Sequence, residues 1–477
     1  MLLVACASRE TRPPPPPAPP AHVTLFISTE VKGYLAPCGC SEAMRGGLSR
    51  AAFQIEAARR EGQPVHFLEA GDGVFGTASL PEEALGQQKL KAQTLAAAWK
   101  VMGLDVAAPG PLDSAVGAEF LSSLALPTMQ AGETRVIDGI GVVRANDAAQ
   151  ADALAATLHA KFTVALVAQP LSELLRAQPK HAQLVVSTHT GDAFAAEESR
   201  IAGGREVRFA QVQSKGRTLL RVDLYSHPGE GFEWLRGSDE QERELAALAE
   251  RIETLRAQVN EPMLNPELKA LRTAKLAEII ARREALAATP LPVPEKMSAA
   301  TLRLIPLESS LRKDAKVAAL EKKYDADVGE LNLAWAKQHG ESCVAATKEK
   351  PGFVGSQTCI ACHEAEGKVW LTTKHPRAYE ALQNEGKQYH LDCVGCHVTG
   401  WKQPQGVCRI DQTEGRREVG CEMCHGAGSL HAASPTKTNI TSDVTAATCT
   451  GCHDAENSPH FDFDAYVAKI LGPGHGR

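Results

Sequence analysis

The motif Cys-x-x-Cys-His occurs four times near the C-terminus, at Cys359-Cys362-His363, Cys393-Cys396-His397, Cys421-Cys424-His425 and Cys449-Cys452-His453. Two thiols three positions apart can add to the two vinyl groups of one porphyrin, and the histidine that follows is then set beneath the iron as an axial ligand. Paired Cys-x-x-Cys sequences also build zinc ribbons, but zinc does not require a histidine after every second cysteine. The expected cofactor is therefore haem c, in four copies. Nine of the sixteen histidines lie from Cys359 onward. Beyond the four in the motifs, His375, His390, His431, His460 and His475 are candidate distal ligands to iron. Two histidines per iron suit outer-sphere electron transfer and leave no place for a substrate.

A segment of about 120 residues holding four macrocycles has too little aliphatic side chain to build a separate core. The haems themselves are expected to fill that role, close enough together for electrons to hop. Four further cysteines lie outside the motifs and the N-terminal Cys6: Cys38, Cys40, Cys343 and Cys408. They allow three pairings. Cys343 with Cys408 is the expected disulfide, because the two flank the haem segment. Cys38-Gly39-Cys40 is either structural or a ligand pair for a soft metal such as copper or zinc.

The 477 residues are too many for one ordinary core and suggest two globular modules with helical connections. With 51 Lys+Arg against 57 Asp+Glu, the chain has no basic stripe suited to a phosphate backbone, so nucleic acid is not an expected partner. Redox proteins or quinol-linked donors are. No apolar run approaches the ~20 residues that span a bilayer. Leu3-Val4-Ala5-Cys6 fits a lipoprotein signal-peptidase box, in which Cys6 becomes the acylated anchor. The residues before it are too few for a complete export signal, so more are expected upstream. Arg12 to Ala21 is almost all proline, a stiff extended tether. The chain is thus expected to be exported, in the periplasm or at the outer membrane, and lipid-anchored.

From His22 to about Tyr225, strand-like apolar runs alternate with helical patterns, the signature of an α/β layer structure. The expected strands are Val23–Ser28, Val65–Ala70, Val164–Ala168, Leu184–Ser187, Val207–Val212 and Thr218–Leu224. Leu245, Leu248, Ile252, Leu255 and Val259 then recur three and four apart. Asn265-Pro266 breaks this pattern before a second helix to about Ala288, so a helical hairpin laying its apolar seam on the rest of the protein is expected. A strand at Thr301–Leu307 and a helix near Lys313–His339 follow. The implied modules are a lipoprotein remnant and tether (1–21), the α/β domain (22–235), a helical linker (236–345) and a mainly α or irregular multihaem module (346–477).

The C-terminal segment resembles the cytochrome c-554 family of tetrahaem proteins. The likeness lies in Gly355-Ser356-Gln357-Thr358-Cys359, Thr373-Lys374-His375-Pro376-Arg377-Ala378-Tyr379, Cys393-Val394-Gly395-Cys396-His397 and the run from Gly420 to His431. That resemblance implies electron transfer, makes His375 and His431 distal ligands, and leaves His390, His460 and His475 to compete for the remaining irons. One haem in such families can be five-coordinate, which would open a site for a small-molecule reductase.

The N-terminal block resembles metallophosphoesterases of the 5'-nucleotidase type, through Gly46-Gly47-Leu48-Ser49-Arg50, Phe67-Leu68-Glu69-Ala70-Gly71-Asp72, Ser187-Thr188-His189-Thr190-Gly191 and the stretch Gln213 to Arg217. The resemblance implies a two-layer sandwich with a dinuclear metal site at the strand ends. Most ligands are missing. Glu30-Val31-Lys32 stands where the family has Asp-x-His, and Gly110-Pro111-Leu112-Asp113 stands where it has Gly-Asn-His-Asp/Glu. Asp72 and His189 remain, with Glu30 and Asp113 as substitutes. A lysine in such a site repels the cations it should help to hold. A non-hydrolytic scaffold is therefore expected, against the alternative of a metal-dependent phosphatase or nucleotidase using Asp72 and His189.

Overall fold

A computed structural model describes residues 21–37, 44–189, 194–229, 231–235, 239–259, 265–287, 293–294, 296–454, 457–458 and 461–471. Cys6, Cys38, Cys40, His460, His475 and the proline tether lie outside the described residues. Among the described residues twelve strands occur in chain order: β1 Ala21–Thr29, β2 Val65–Gly71, β3 Leu104–Pro109, β4 Thr134–Ile137, β5 Ile140–Ala145, β6 Phe162–Val167, β7 Leu184–Ser187, β8 Ala196–Ala202, β9 Arg205–Gln211, β10 Thr218–Ser226, β11 Phe232–Trp234 and β12 Ser298–Pro306. Contacts divide the chain into two compact units, Met1–Thr24 with Val222–Leu302, and Leu25–Arg221 with Arg303–Arg477.

In the larger unit one sheet runs β12-β10-β1-β2-β3 and the other runs β4-β5-β6-β7-β9-β8. β2 and β3 are parallel, as are β5, β6, β7 and β9. Parallel strands must be joined by crossovers that return the chain to the same end of the sheet, and the closeness of Gly71 to Glu30 and Thr188 and the bond from Leu112 N to Asp72 Oδ1 bring the loops leaving β1, β2, β3 and β7 together. Their inward faces are continuous apolar runs: β6 is buried at every residue, the pattern of a strand covered on both faces. The core of the first sheet is built from Phe26, Phe67, Ile55, Leu95 and Trp99, and that of the second from Val143, Val167, Leu174 and Phe209. The α/β sandwich read from the sequence is present.

Two helices matter for the C-terminal segment. Glu82–Val101 starts after Pro81 with Glu82 and Glu83 in its first turn, where carboxylates oppose the helix dipole. Ala315–His339 is capped by the Asp314 carboxylate, which accepts from the backbone N–H of Lys316 and Val317, and it carries Lys337 and His339 in its last turn. The two helices pack through Ala92, Leu95 and Trp99 against Val317, Tyr324 and Val328. A Cβ at Gly86 would stand 3.0 Å from Leu331 Cδ2, so glycine allows this close crossing. Buried Glu321 accepts from both the backbone N–H and the hydroxyl of Ser49, each at 2.9 Å, and fixes the second helix to the α/β core.

The smaller unit holds strand order β11-β12-β10-β1 and two helices, Asp239–Val259 and Pro266–Ala287. Leu248, Ile252 and Ile279 form its apolar cluster with Leu255, Leu276, Ile280 and Leu286. The seam read from the sequence is thus closed between the two helices themselves. Among the described residues no helix is long and apolar enough to cross a membrane.

From residue 346 onward the regular elements are short. The buried apolar side chains there are Tyr379, Leu382, Val394, Val398, Val407, Ile410 and Val467. Most of them join one cluster with Ala336 around the helix Leu391–His397, which leaves the segment after Ile410 with almost no aliphatic interior among the described residues. Cys343 and Cys408 form a disulfide across this region, their Cα atoms 5.2 Å apart.

Candidate functional site

Each Cys-x-x-Cys-His motif lies in or next to one turn of helix. Cys359 lies in Ser356–Ile360, the second motif in Leu391–His397, the third in Cys421–His425, and Cys449 in Ala446–Thr450. The backbone N–H of His363 donates to Cys359 O at 2.9 Å, and that of His453 to Cys449 O at 2.8 Å. A helical turn puts residues three and four apart on the same face, so both sulfurs and the imidazole of a motif face one side. None of the eight motif cysteines is disulfide-bonded. Thiols of different motifs also stand close together, Cys359 beside Cys421 and Cys396 beside Cys452.

The imidazoles pair across motifs. His363 faces His431 with ring centroids 6.3 Å apart, and His375 faces His453 at the same 6.3 Å. A metal bonded to two imidazole nitrogens at about 2 Å each, with each nitrogen about 1.1 Å from its ring centre, sets the centroids roughly 6.3 Å apart. These two pairs therefore have the spacing that one ion between them requires. Burial lowers the pKa of His375 and of His453, which favours the neutral imidazole a metal needs.

Four of the histidine rings are held from the Nδ1 side as well. His397 Nδ1 donates to Ala378 O at 2.6 Å and His425 Nδ1 to Thr441 O at 2.8 Å. His431 Nδ1 donates towards Thr436 O and Asn439 Oδ1, both at 3.0 Å, and His453 Nδ1 is 2.8 Å from Ser458 Oγ. Carbonyl acceptors fix the proton on Nδ1 and leave the Nε2 lone pair for a metal. The donor set, the spacing and the missing aliphatic interior all fit haem c. His390 lies elsewhere, edge-on to Tyr324 with Nε2 3.4 Å from Asp325 Oδ1, and burial lowers its pKa to about 4.

Sequence reading missed Glu422. It sits inside the third motif, 3% exposed, and accepts three backbone N–H groups: Val354 at 2.8 Å and Gly428 at 2.7 Å on Oε1, and Gly355 at 2.6 Å on Oε2. One carboxylate thus ties the approach to Cys359, the third motif and the turn that leads to His431.

At the strand ends of the α/β domain the carboxylates converge as read, but their bonding is spent. Asp72 Oδ1 accepts from Leu112 N at 2.7 Å. Asp113 accepts from Gly73, Val74 and Gly110 N–H at 3.2, 2.6 and 2.9 Å, which makes it a loop clamp, while burial pushes its pKa up to about 6. Lys32 Nζ pairs with Glu30 Oε1 at 3.1 Å. Glu30 and Lys32 hold positive φ, 47° and 52°, a strained conformation that the neighbouring strands enforce. Two further residues were missed. Arg144 is buried, bonded to Ala145 O at 3.1 Å and Thr188 Oγ1 at 3.3 Å; burial lowers its pKa and the charge of Asp72 partly offsets this. Glu69 is buried and accepts from the Ser28 hydroxyl, its pKa pushed up to about 8 by burial. His189 is exposed. Among the described residues no three His, Cys, Asp or Glu side chains are grouped as metal ligands. Two protein cations and a backbone-saturated aspartate do not fit a dinuclear metal site.

Comparison with known proteins matches residues 358–426 to the family described as cytochrome c554 and c-prime. Cytochrome c-554 of Nitrosomonas europaea is 36% identical over 91 residues, which cover 16% of this chain and 39% of that protein. The chain thus spans about two fifths of the curated relative's length. Among solved structures, the NAD nucleotidase of Haemophilus influenzae aligns at TM-score 0.37 and 12% identity, over 57% of this chain and 61% of that one. The 5'-nucleotidase precursor of Thermus thermophilus aligns at TM-score 0.42 and 12% identity, over 77% and 68%. Three of the four motifs, at Cys359, Cys393 and Cys421, fall in the stretch through which this C-terminal segment is similar to the cytochrome c-554 family.

Proposed function

We propose that this chain is an exported multihaem c-type cytochrome that transfers electrons through four covalently attached haems. When bound, the haem supplies one-electron iron chemistry. The protein would hold each group by the two cysteines of one motif, with His363, His397, His425 and His453 as proximal ligands. His431 and His375 would be distal ligands for the first and fourth motifs. The observation that carries this reading is the pair of imidazole contacts at 6.3 Å, each joining a motif histidine to a histidine outside the motifs. The proximity of Cys359 to Cys421 and of Cys396 to Cys452 supports closely spaced haems and hence electron hopping. Redox proteins or quinol-linked donors would be the partners, in the periplasm or at the outer membrane, with Cys6 as lipid anchor.

The α/β domain is proposed to be a non-hydrolytic scaffold, because Lys32 pairs with Glu30, Asp113 is committed to backbone N–H groups and a second cation, Arg144, is buried nearby, where a metal pair would need free carboxylates. Two assays on purified full-length protein test the two halves. Reduction with dithionite is expected to give the sharp α-band of low-spin c-type haem, and an unchanged, colourless spectrum would refute the cytochrome reading. Phosphatase assays with manganese or zinc are expected to show no turnover; metal-dependent hydrolysis that is lost in Asp72→Asn would refute the scaffold reading.

A further inference from the structure

The helix that carries the second motif is docked on the α/β domain through charge and hydrogen bonds. Lys91 Nζ of Glu82–Val101 lies 2.5 Å from Asp392 Oδ2, and Gln88 Nε2 donates to Asp392 Oδ1 at 3.3 Å. Asp392 directly precedes Cys393. One turn earlier, Gln87 Oε1 accepts from Leu391 N at 3.0 Å, in the first turn of the motif helix. The same oxygen accepts from Asn332 Nδ2 at 2.7 Å, and Asn332 also donates to Tyr389 O at 2.8 Å. Gln87 is fully buried and Asn332 is 3% exposed, so these bonds are shielded from water. A second ion pair, Lys402 to Glu83 at 2.7 Å, lies just past the motif.

We infer that Lys91 is a positioning and charge-setting residue for the haem at Cys393-Cys396-His397, through which the α/β domain sets the potential of one haem out of four. The inference rests on the cytochrome reading above. Its physical basis is simple: a fixed positive charge stabilises the added electron of a reduced haem and a fixed negative charge destabilises it, and Lys91 is largely covered while the Asp392 carboxylate is half exposed, so the pair acts through its position beside Cys393. Lys91 and Asp392 oppose each other beside the attachment point. Removing Lys91 leaves Asp392 uncompensated, so the potential falls; removing the Asp392 charge leaves Lys91, so it rises. Removing both restores the balance. The α/β domain thereby has a role, as an outer wall for one redox centre.

The test is a spectroelectrochemical titration of the full-length haem-loaded protein, with the haem count of each variant taken from its intact mass. Lys91→Met is expected to lower one midpoint and leave three in place. Asp392→Asn is expected to raise that midpoint, and the double variant to return it towards the wild-type value. A purely structural loosening would move both single variants in the same direction. Four unshifted midpoints, or same-direction shifts with four haems retained, would overturn the inference. If Lys91→Met assembles fewer than four haems, Lys91→Gln, which keeps a donor without the charge, carries the same comparison. A wild-type protein without haem would refute the cytochrome reading instead, so the two failures are distinct.

Discussion

Replacing Glu422 with glutamine perturbs the joint between the first and third motifs without changing side-chain size. Glu422 accepts three backbone N–H groups, from Val354, Gly355 and Gly428. With the amide oxygen on the Oε1 side, glutamine keeps two of these acceptors but presents an NH2 to the Gly355 N–H. Hydrogen bonds to a charged group contribute about 1.5–3 kcal/mol each and neutral ones about 0.5–1.5, while a buried donor left unpaired costs about 1–3 kcal/mol. Two weakened bonds and one orphaned donor therefore sum to about 3–5 kcal/mol. For a unit of this size that corresponds to a fall in Tm of about 5 °C. Because Gly428 leads directly to His431, the low-spin haem spectrum of the first motif should change with it. The assay is thermal unfolding of the full-length protein followed in parallel by far-UV circular dichroism and by haem absorbance. An unchanged Tm and spectrum in Glu422→Gln would refute the reasoning that this carboxylate organises the segment.

The disulfide Cys343–Cys408 spans 65 residues and encloses the first two motifs. By chain entropy, replacing both cysteines with serine should cost about 4 kcal/mol of stability; denaturant unfolding that is the same with and without the bridge would contradict this. His66 bridges two carboxylates, Asp105 at 3.2 Å and Asp138 at 3.0 Å, and its pKa is raised, chiefly by the hydrogen bond to Asp105. Its stabilisation is complete below the unfolded value of about 6.5 and is lost as pH rises through the higher folded value. Tm should therefore fall more steeply with pH across that range in the wild type than in His66→Gln, and parallel profiles would show that the bridge does not contribute.

Local patterns were legible and long-range partnerships were not. The helical hairpin could be read because Leu248, Ile252 and Leu255 repeat at helical spacing and Asn265-Pro266 must interrupt the helix; the observed helices end at Val259 and restart at Pro266. β6 and β7 were found as short apolar runs, whereas β8 was missed because Ala196–Ala202 is mostly exposed and charged at the edge of its sheet. The four attachment motifs are contiguous in sequence. The partnership of His363 with His431 joins residues far apart in sequence, and spacing alone does not reveal it; the family resemblance pointed to His431 as a distal ligand without naming its partner. Glu422 fills one of the two unspecified positions of its Cys-x-x-Cys motif, although a lone carboxylate set in the glycine-rich run Gly420–Gly428 is a signal that backbone donors are near. Arg144 was legible in principle: a guanidinium in the apolar strand Ile140–Ala145 is buried only when partnered. Lys32 was read as a cation that would repel metals, and its pairing with Glu30 adds the reason it can stay there.

Intact-mass spectrometry of the denatured full-length protein, made in a host with working cytochrome maturation, tests the central claim most directly. The expected mass is that of the polypeptide with four covalent haem additions, located by peptide mapping at Cys359/Cys362, Cys393/Cys396, Cys421/Cys424 and Cys449/Cys452. A mass equal to the bare polypeptide, with the eight thiols free or holding zinc, would contradict it.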